Sequence, residues 1–114
     1  MIKKEGEVMP AAARVTDSTS GICDIGAKCC SHGRNGACSN GSNNVFVNGL
    51  SAHRYSDEGN CHCPHGGIFN TSEGSFSVFS NGLPMARAGD STVCQGCGQM
   101  GRITSGSSNV FIGW

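Results

Sequence analysis

Eight cysteines and four histidines in 114 residues are the side chains of this chain with chemistry to offer. Thiolates and imidazoles serve as nucleophiles, redox centres or metal ligands, so their spacing decides among the three. His53, His62 and His65 crowd one short stretch and stand beside Cys61 and Cys63. A lone histidine is most often a surface residue, but three so close to cysteines point to metal ligation. Zinc takes four such donors in a tetrahedron, and a structural site keeps no position open. Cys94-Gln95-Gly96-Cys97 reads as a zinc knuckle or as a redox pair, and the second requires a βαβ scaffold that nothing here suggests. Cys23, Cys29, Cys30, Cys38, Cys61 and Cys63 read as small buried apolar residues or as disulfide partners, with a second metal as the sharper reading. A cysteine with a histidine as its base could be a catalytic pair. No paired carboxylates, no Gly-rich loop leading into a helix and too short a chain to enclose a substrate speak against an enzyme.

The elements that position these residues must cope with a thin core. A chain of this length forms one domain and buries a modest share of its surface. It holds 18 Gly, 37% apolar residues and 14% charged ones. Glycine loses the most backbone entropy on folding and packs nothing, so cross-links are expected to supplement the core. Eight Lys and Arg balance eight Asp and Glu, which leaves no net field to attract nucleic acid or an anionic membrane. No apolar run reaches the roughly 18 residues of a membrane helix. Lys3 and Lys4 have no apolar stretch behind them to complete a secretory signal, so the expected place of synthesis and assembly is a cytoplasm. Cysteines in a reducing compartment lean toward metal over disulfides.

The chain repeats itself. Gly41-Ser42-Asn43-Asn44-Val45-Phe46-Val47-Asn48-Gly49-Leu50 returns as Gly74 to Leu83 and again, truncated, as Gly106 to Gly113, at almost equal intervals. An Arg-x-x-Asp corner also occurs three times, at Arg14/Asp17, Arg54/Asp57 and Arg87/Asp90. The chain opens and closes in mid-repeat, so the two partial copies complete one another. The simplest architecture is all-β: three quasi-equivalent units in a ring, the N-terminal piece sealed against the C-terminal strand. The Val-Phe segments predict short strands, with Asn48-Gly49 and Asn81-Gly82 as type I′ hairpin turns. No sustained period of 3.6 predicts a helix. The Cys/His-bearing stretches Gly21 to Asn40, Glu58 to Thr71 and Ser91 to Thr104 are expected as loops that converge on one end. The repeated Arg and Asp are expected to pair and orient each corner.

From Met9 to Trp114, after a short tail at 1–8, the chain resembles the PAAR-repeat family. The resemblance rests on Pro10 to Asp17, the Gly-Ser-x-x-Val-Phe strands, Val47 to Arg54, Cys63-Pro64-His65-Gly66-Gly67, and Cys97-Gly98 before the last strand. It implies a small β-rich cone of pseudo-threefold shape that sharpens the spike of a type VI secretion system or a contractile phage tail. Its base would sit on the blunt end of a trimeric spike, a valine-glycine repeat protein or a phage tail spike, with one tip per trimer and an effector as optional cargo. Such a tip is assembled on the apparatus or virion, touches the target membrane transiently and is delivered into or through the envelope. Family members bind one zinc near the apex through three histidines and a cysteine, which maps here onto His53, His62, His65 and Cys97, with His32 and Cys94 as substitutes. Thr16 stands where the family prefers glycine, and the first loop carries four cysteines, more than the family pattern. The Val-Phe strand ends, Leu50, Leu83 and Trp114 are candidates for the docking base. No effector is expected beyond Trp114. The competing class is a stand-alone extracellular binding module held by disulfides or zinc.

Overall fold

Asn48-Gly49 and Asn81-Gly82 adopt the turn their residue types predict, with φ of +54° and +81° in the first and +56° and +79° in the second. Each closes a hairpin of two residues per strand. The computed structural model describes residues 10–23, 32–61, 67–95, 98 and 100–112. Among them are ten strands and no helix: β1 (Ser18–Cys23), β2 (His32–Cys38), β3 (Phe46–Val47), β4 (Leu50–Ser51), β5 (Glu58–Asn60), β6 (Ile68–Thr71), β7 (Phe79–Ser80), β8 (Leu83–Pro84), β9 (Ser91–Cys94) and β10 (Met100–Ile103). The protein is an all-β domain.

Six strands close into an antiparallel barrel in the order β1-β10-β9-β6-β5-β2. It is built from three hairpins, β1-β2, β5-β6 and β9-β10, one per repeat. Because every neighbour is antiparallel, β1, β5 and β9 all run the same way, and the connections that follow them leave from one end. At the opposite end lie the minimal hairpins β3-β4 and β7-β8. The third hairpin is split between the two ends of the chain: Ala11 bridges Phe111, and Ile112 N–H donates to Pro10 O at 2.9 Å. The two partial repeats do complete one unit.

A closed ring of backbone hydrogen bonds lies between barrel and base. Ala13 N–H donates to Ala86 O (3.0 Å), Ala86 N–H to His53 O (2.9 Å), and His53 N–H to Ala13 O (3.1 Å). These three positions are equivalent in the repeats, so the ring marks the pseudo-threefold axis. The corner after each is equally regular: Thr16, Ser56 and Gly89 take φ of +83°, +73° and +95°. Glycine adopts that region without strain, which is the physical reason a glycine suits the position held by Thr16.

The Cys/His-rich stretches expected as loops are in large part the barrel strands themselves. Several of their buried positions are held by glycine or cysteine, Cys38, Gly59, Cys94 and Gly101 among them, so the alternation of buried and exposed residues carries little contrast in hydrophobicity. A Cβ on Gly36 would lie 1.5 Å from Asn60 O, and one on Gly59 would lie 2.2 Å from the ring of Phe69. Glycine there permits strand approach and is a requirement of closure. The barrel interior holds Phe69, Ile103 and the three cysteines Cys38, Cys61 and Cys94, with Ala13 and Ala86. A second cluster, Ala12, Val47, Ala52, Met85 and Ile112, fills the base, with Val45 and Val78 packed against it.

Candidate functional site

The two ends of the axis differ in chemistry. At the end from which the connections after β1, β5 and β9 leave, Cys61 and Cys94 bring their sulfurs to 3.6 Å. They are 1% and 0% exposed. Cys61 follows β5 directly and Cys94 closes β9 one repeat later, so the two thiols occupy the same place in successive units. Cys38 lies in the same cluster, and burial, aided by the Asp17 carboxylate, pushes its thiol up to about 12. Cys23 and His32 are paired across β1 and β2 at that end of the barrel. Of the residues expected to bind metal, His62, His65 and Cys97 lie outside the described residues, as do Cys29, Cys30 and Cys63.

His53 is described, and it sits on the axis, fully buried. Its Nδ1 lies 2.7 Å from Asn40 O and its Nε2 lies 2.6 Å from Thr71 Oγ1. A carbonyl only accepts, so Nδ1 carries the proton, and the Nε2 lone pair accepts from the threonine hydroxyl. Burial lowers the pKa, the bond to Asn40 O opposes that, and the ring is held neutral. Both nitrogens are thus engaged within the core. Metal ligation by His53 would cost the Thr71 bond and leave that buried hydroxyl without its acceptor.

Each corner is locked by its Arg-x-x-Asp pair. Asp17, Asp57 and Asp90 accept from the backbone N–H and the guanidinium of Arg14, Arg54 and Arg87, with ion-pair distances of 2.9, 2.8 and 2.8 Å. Burial pushes the Asp17 carboxyl up, but hydrogen bonds from Arg14 and Ser105 outweigh it and hold the group below its ordinary value. From the corners the network runs outward: Arg14 and Arg54 donate to Asn48 and Asn81 at the hairpin tips, each at 3.2 Å. Those tips reach into the Ser turn of a neighbouring repeat, Asn48 to Ser107 and Asn109, and Asn81 to Ser42 and Asn44. The repeated residues expected to pair therefore tie each unit to the next.

The base carries the second notable feature. Phe46, Phe79 and Phe111 sit at one position of the three repeats and are 58%, 55% and 50% exposed. Alternation along the minimal strands buries Val47, Ser80 and Ile112 and turns the phenylalanines out. Val45 and Val78, also candidates for a docking face, belong instead with the base core, and Leu50 and Leu83 are half-buried. Trp114 lies outside the described residues. Two features were not legible in the sequence: the facing of Cys61 and Cys94, and which residue of each Val-Phe pair turns outward. The interval of the repeat, which also separates the two cysteines, was the available signal for the first.

A ring of three β units on one axis, bonded through equivalent corners, defines a small pseudo-threefold β domain. Residues 64–113 match the family described as PAAR motif, and the match supports a PAAR-repeat protein. No curated protein matches it.

Proposed function

We propose that the chain is the non-enzymatic tip of a contractile injection apparatus, of the type VI secretion or phage-tail kind, seated on a trimeric spike with one copy per trimer. The observation that carries this reading is the set of three equivalent, half-exposed phenylalanines, Phe46, Phe79 and Phe111. A monomer has no internal use for three aromatic rings held in water at symmetric positions. A trimer's blunt end has an identical apolar need on each of its three subunits, and a second copy of the tip could not share the same axis. Covering the three rings removes on the order of 300 Å² of apolar surface, a gross gain of about 7 kcal/mol before the cost of association. The balanced charge of the chain supports a protein partner over nucleic acid.

In this reading the barrel end is the leading point, met first by the target envelope, and a zinc ion stiffens it. His62, His65 and Cys97 are proposed ligands; His53, with both nitrogens in use, is better placed as an axial core residue. A bound zinc supplies a cross-link among repeats that a core of small residues does not. Assembly takes place on the apparatus from the cytoplasmic side, with delivery into or through the target envelope.

Native mass measurement of the complex with a cognate spike is the test. One tip per trimer is expected, and Phe46→Asp, Phe79→Asp and Phe111→Asp in combination should abolish binding while the circular dichroism spectrum stays that of the parent. Three tips per trimer, or undiminished binding by the folded triple variant, would overturn the reading.

A further inference from the structure

The Ser75 turn differs from its two counterparts, and so does the segment that falls opposite it. In the intact repeats an asparagine at the hairpin tip meets an asparagine in the facing turn. Asn81 Nδ2 donates to Asn44 Oδ1 and Asn48 Nδ2 to Asn109 Oδ1, each at 2.8 Å. Arg54 and Arg14 hold the same two tips from the corner side. By the equivalence of the units, the third tip belongs between Arg87 and the Ser75 turn. Gly113-Trp114 follow Ile112 as Asn48-Gly49 follow Val47, so they take that position. Both lie outside the described residues, and their place here follows from the repeat. We propose that Trp114 seats its indole in the groove beside the Ser75 turn, lined by Tyr55, Phe76, Leu83 and Pro84. The third unit then closes by apolar contact where the other two close by asparagine pairs.

The groove suits such a ring. Its volume is about 570 Å³, and Arg87, Gly74 and Ser75 stand in its wall, so it opens at the place of the third tip. Phe76 is 76% exposed, the most of any large apolar side chain among the described residues, and Tyr55 is 44% exposed. An enclosed tryptophan takes about 150–250 Å² of surface out of water and would cover both. The residues that make the groove apolar stand where the other units have smaller or polar ones: Phe76 for Asn43 and Ser108, Tyr55 for Val15 and Ala88, Pro84 for Ser51 and Ala11. The fourth turn residue changes with them. Ser77 replaces Asn44 and Asn109, so this turn has no asparagine to offer a tip. Tip and turn therefore change together, from Asn against Asn in two units to Trp against Phe in one.

A buried indole also needs an acceptor for its N–H. Glu73, in the groove wall, accepts from Ser91 N–H and Oγ–H through Oε1, at 2.8 and 2.7 Å. Its second carboxylate oxygen is a further acceptor. The assignment takes Trp114 off the docking face, and it does not depend on the spike.

Trp114 is the sole tryptophan, so indole fluorescence of the full chain reads this one contact. Native emission is expected well to the blue of that of the urea-unfolded chain, with acrylamide quenching several-fold weaker. Phe76→Ser and Tyr55→Val restore residue types found in the other units. Each should shift the emission to the red and raise quenching while the circular dichroism spectrum stays that of the parent. Phe46→Ser, at an exposed phenylalanine of another unit, should change neither emission nor quenching. An indole as quenchable in the native as in the unfolded chain would overturn the assignment. Shielding that disappears on dilution would do the same, because it puts a second copy's tryptophan in the groove. So would shielding that neither groove variant reduces, which puts the ring elsewhere. The first measurement uses the unaltered chain, and every outcome leaves the spike stoichiometry to its own test.

Discussion

Arg87 and Asp90 form the most enclosed of the three corner pairs, with side chains 4% and 6% exposed, against 17% and 4% for Arg14 and Asp17. Removing one partner of a buried pair strands the other charge away from water, which costs about 3–5 kcal/mol. Arg87→Ala should therefore destabilise by that amount, and Arg14→Ala by about 1–3 kcal/mol, since water can reach its site. Urea midpoints compare them; equal losses would mean that burial does not grade the corners. His53 gives a pH signature. Its folded pKa is lowered, so the unfolded chain takes up the proton first as pH falls. Stability should hold above about 6.5, its ordinary value, and decline below it toward the lowered folded value. The difference between the parent and His53→Asn isolates this limb, and parallel curves from pH 8 to 5 would exclude it. Asp17 adds a second limb at lower pH: its stabilising contribution is complete above 3.8 and is lost as pH falls through its lowered folded value.

At the scale of elements, what the sequence disclosed depended on whether a residue acted through type or through fit. Turn chemistry is local, so Asn48-Gly49, Asn81-Gly82 and the Arg-x-x-Asp corners were legible, as was the joining of the two partial repeats. The barrel was not, because its strands are recognised by nothing in their own composition: Gly36 and Gly59 are there for what stands opposite them. The surroundings of His53 were hidden for a related reason. A histidine near cysteines suggests ligation, yet its ring nitrogens are taken up by Asn40 and Thr71, partners distant in the chain. Gly36→Ala tests the account of the barrel. With its Cβ directed at Asn60 O, the variant must open the β2-β5 pairing and should lose about 3 kcal/mol or more. Gly67→Ala meets nothing within 4 Å and should change stability by less than about 0.5 kcal/mol. Similar thermal melts for the two would show that the barrel has slack where none is drawn.

For the whole molecule, the consequence of three equivalent units is that the break in the chain has no privileged place. Val47 and Ser80 lead into Asn-Gly turns that return at Leu50 and Leu83, and Ile112 stands where Val47 and Ser80 do, opposite Pro10. An Asn-Gly link from Ile112 to Pro10, in place of residues 113–114 and 1–9, would build the third hairpin on the pattern of the other two. The new asparagine would face the Ser75 turn, as Asn48 faces Ser107 and Asn81 faces Ser42. Opening the chain between Asn48 and Gly49, both exposed, then moves the gap by one repeat without removing a strand. The cost is the tip contacts of Asn48, side-chain bonds at an exposed site; the gain is the mirror set at Ser75. A circular permutant running from Gly49 through the Asn-Gly linker to Asn48 should therefore fold cooperatively. Its melting temperature should lie within about 8 °C of the parent's, the shift that about 1 kcal/mol produces in a domain this small. Calorimetry of parent and permutant makes the comparison. A permutant that aggregates or melts without a cooperative transition would show that the break between Ile112 and Pro10 is needed where it is, and that the three units are alike in form but not interchangeable in folding.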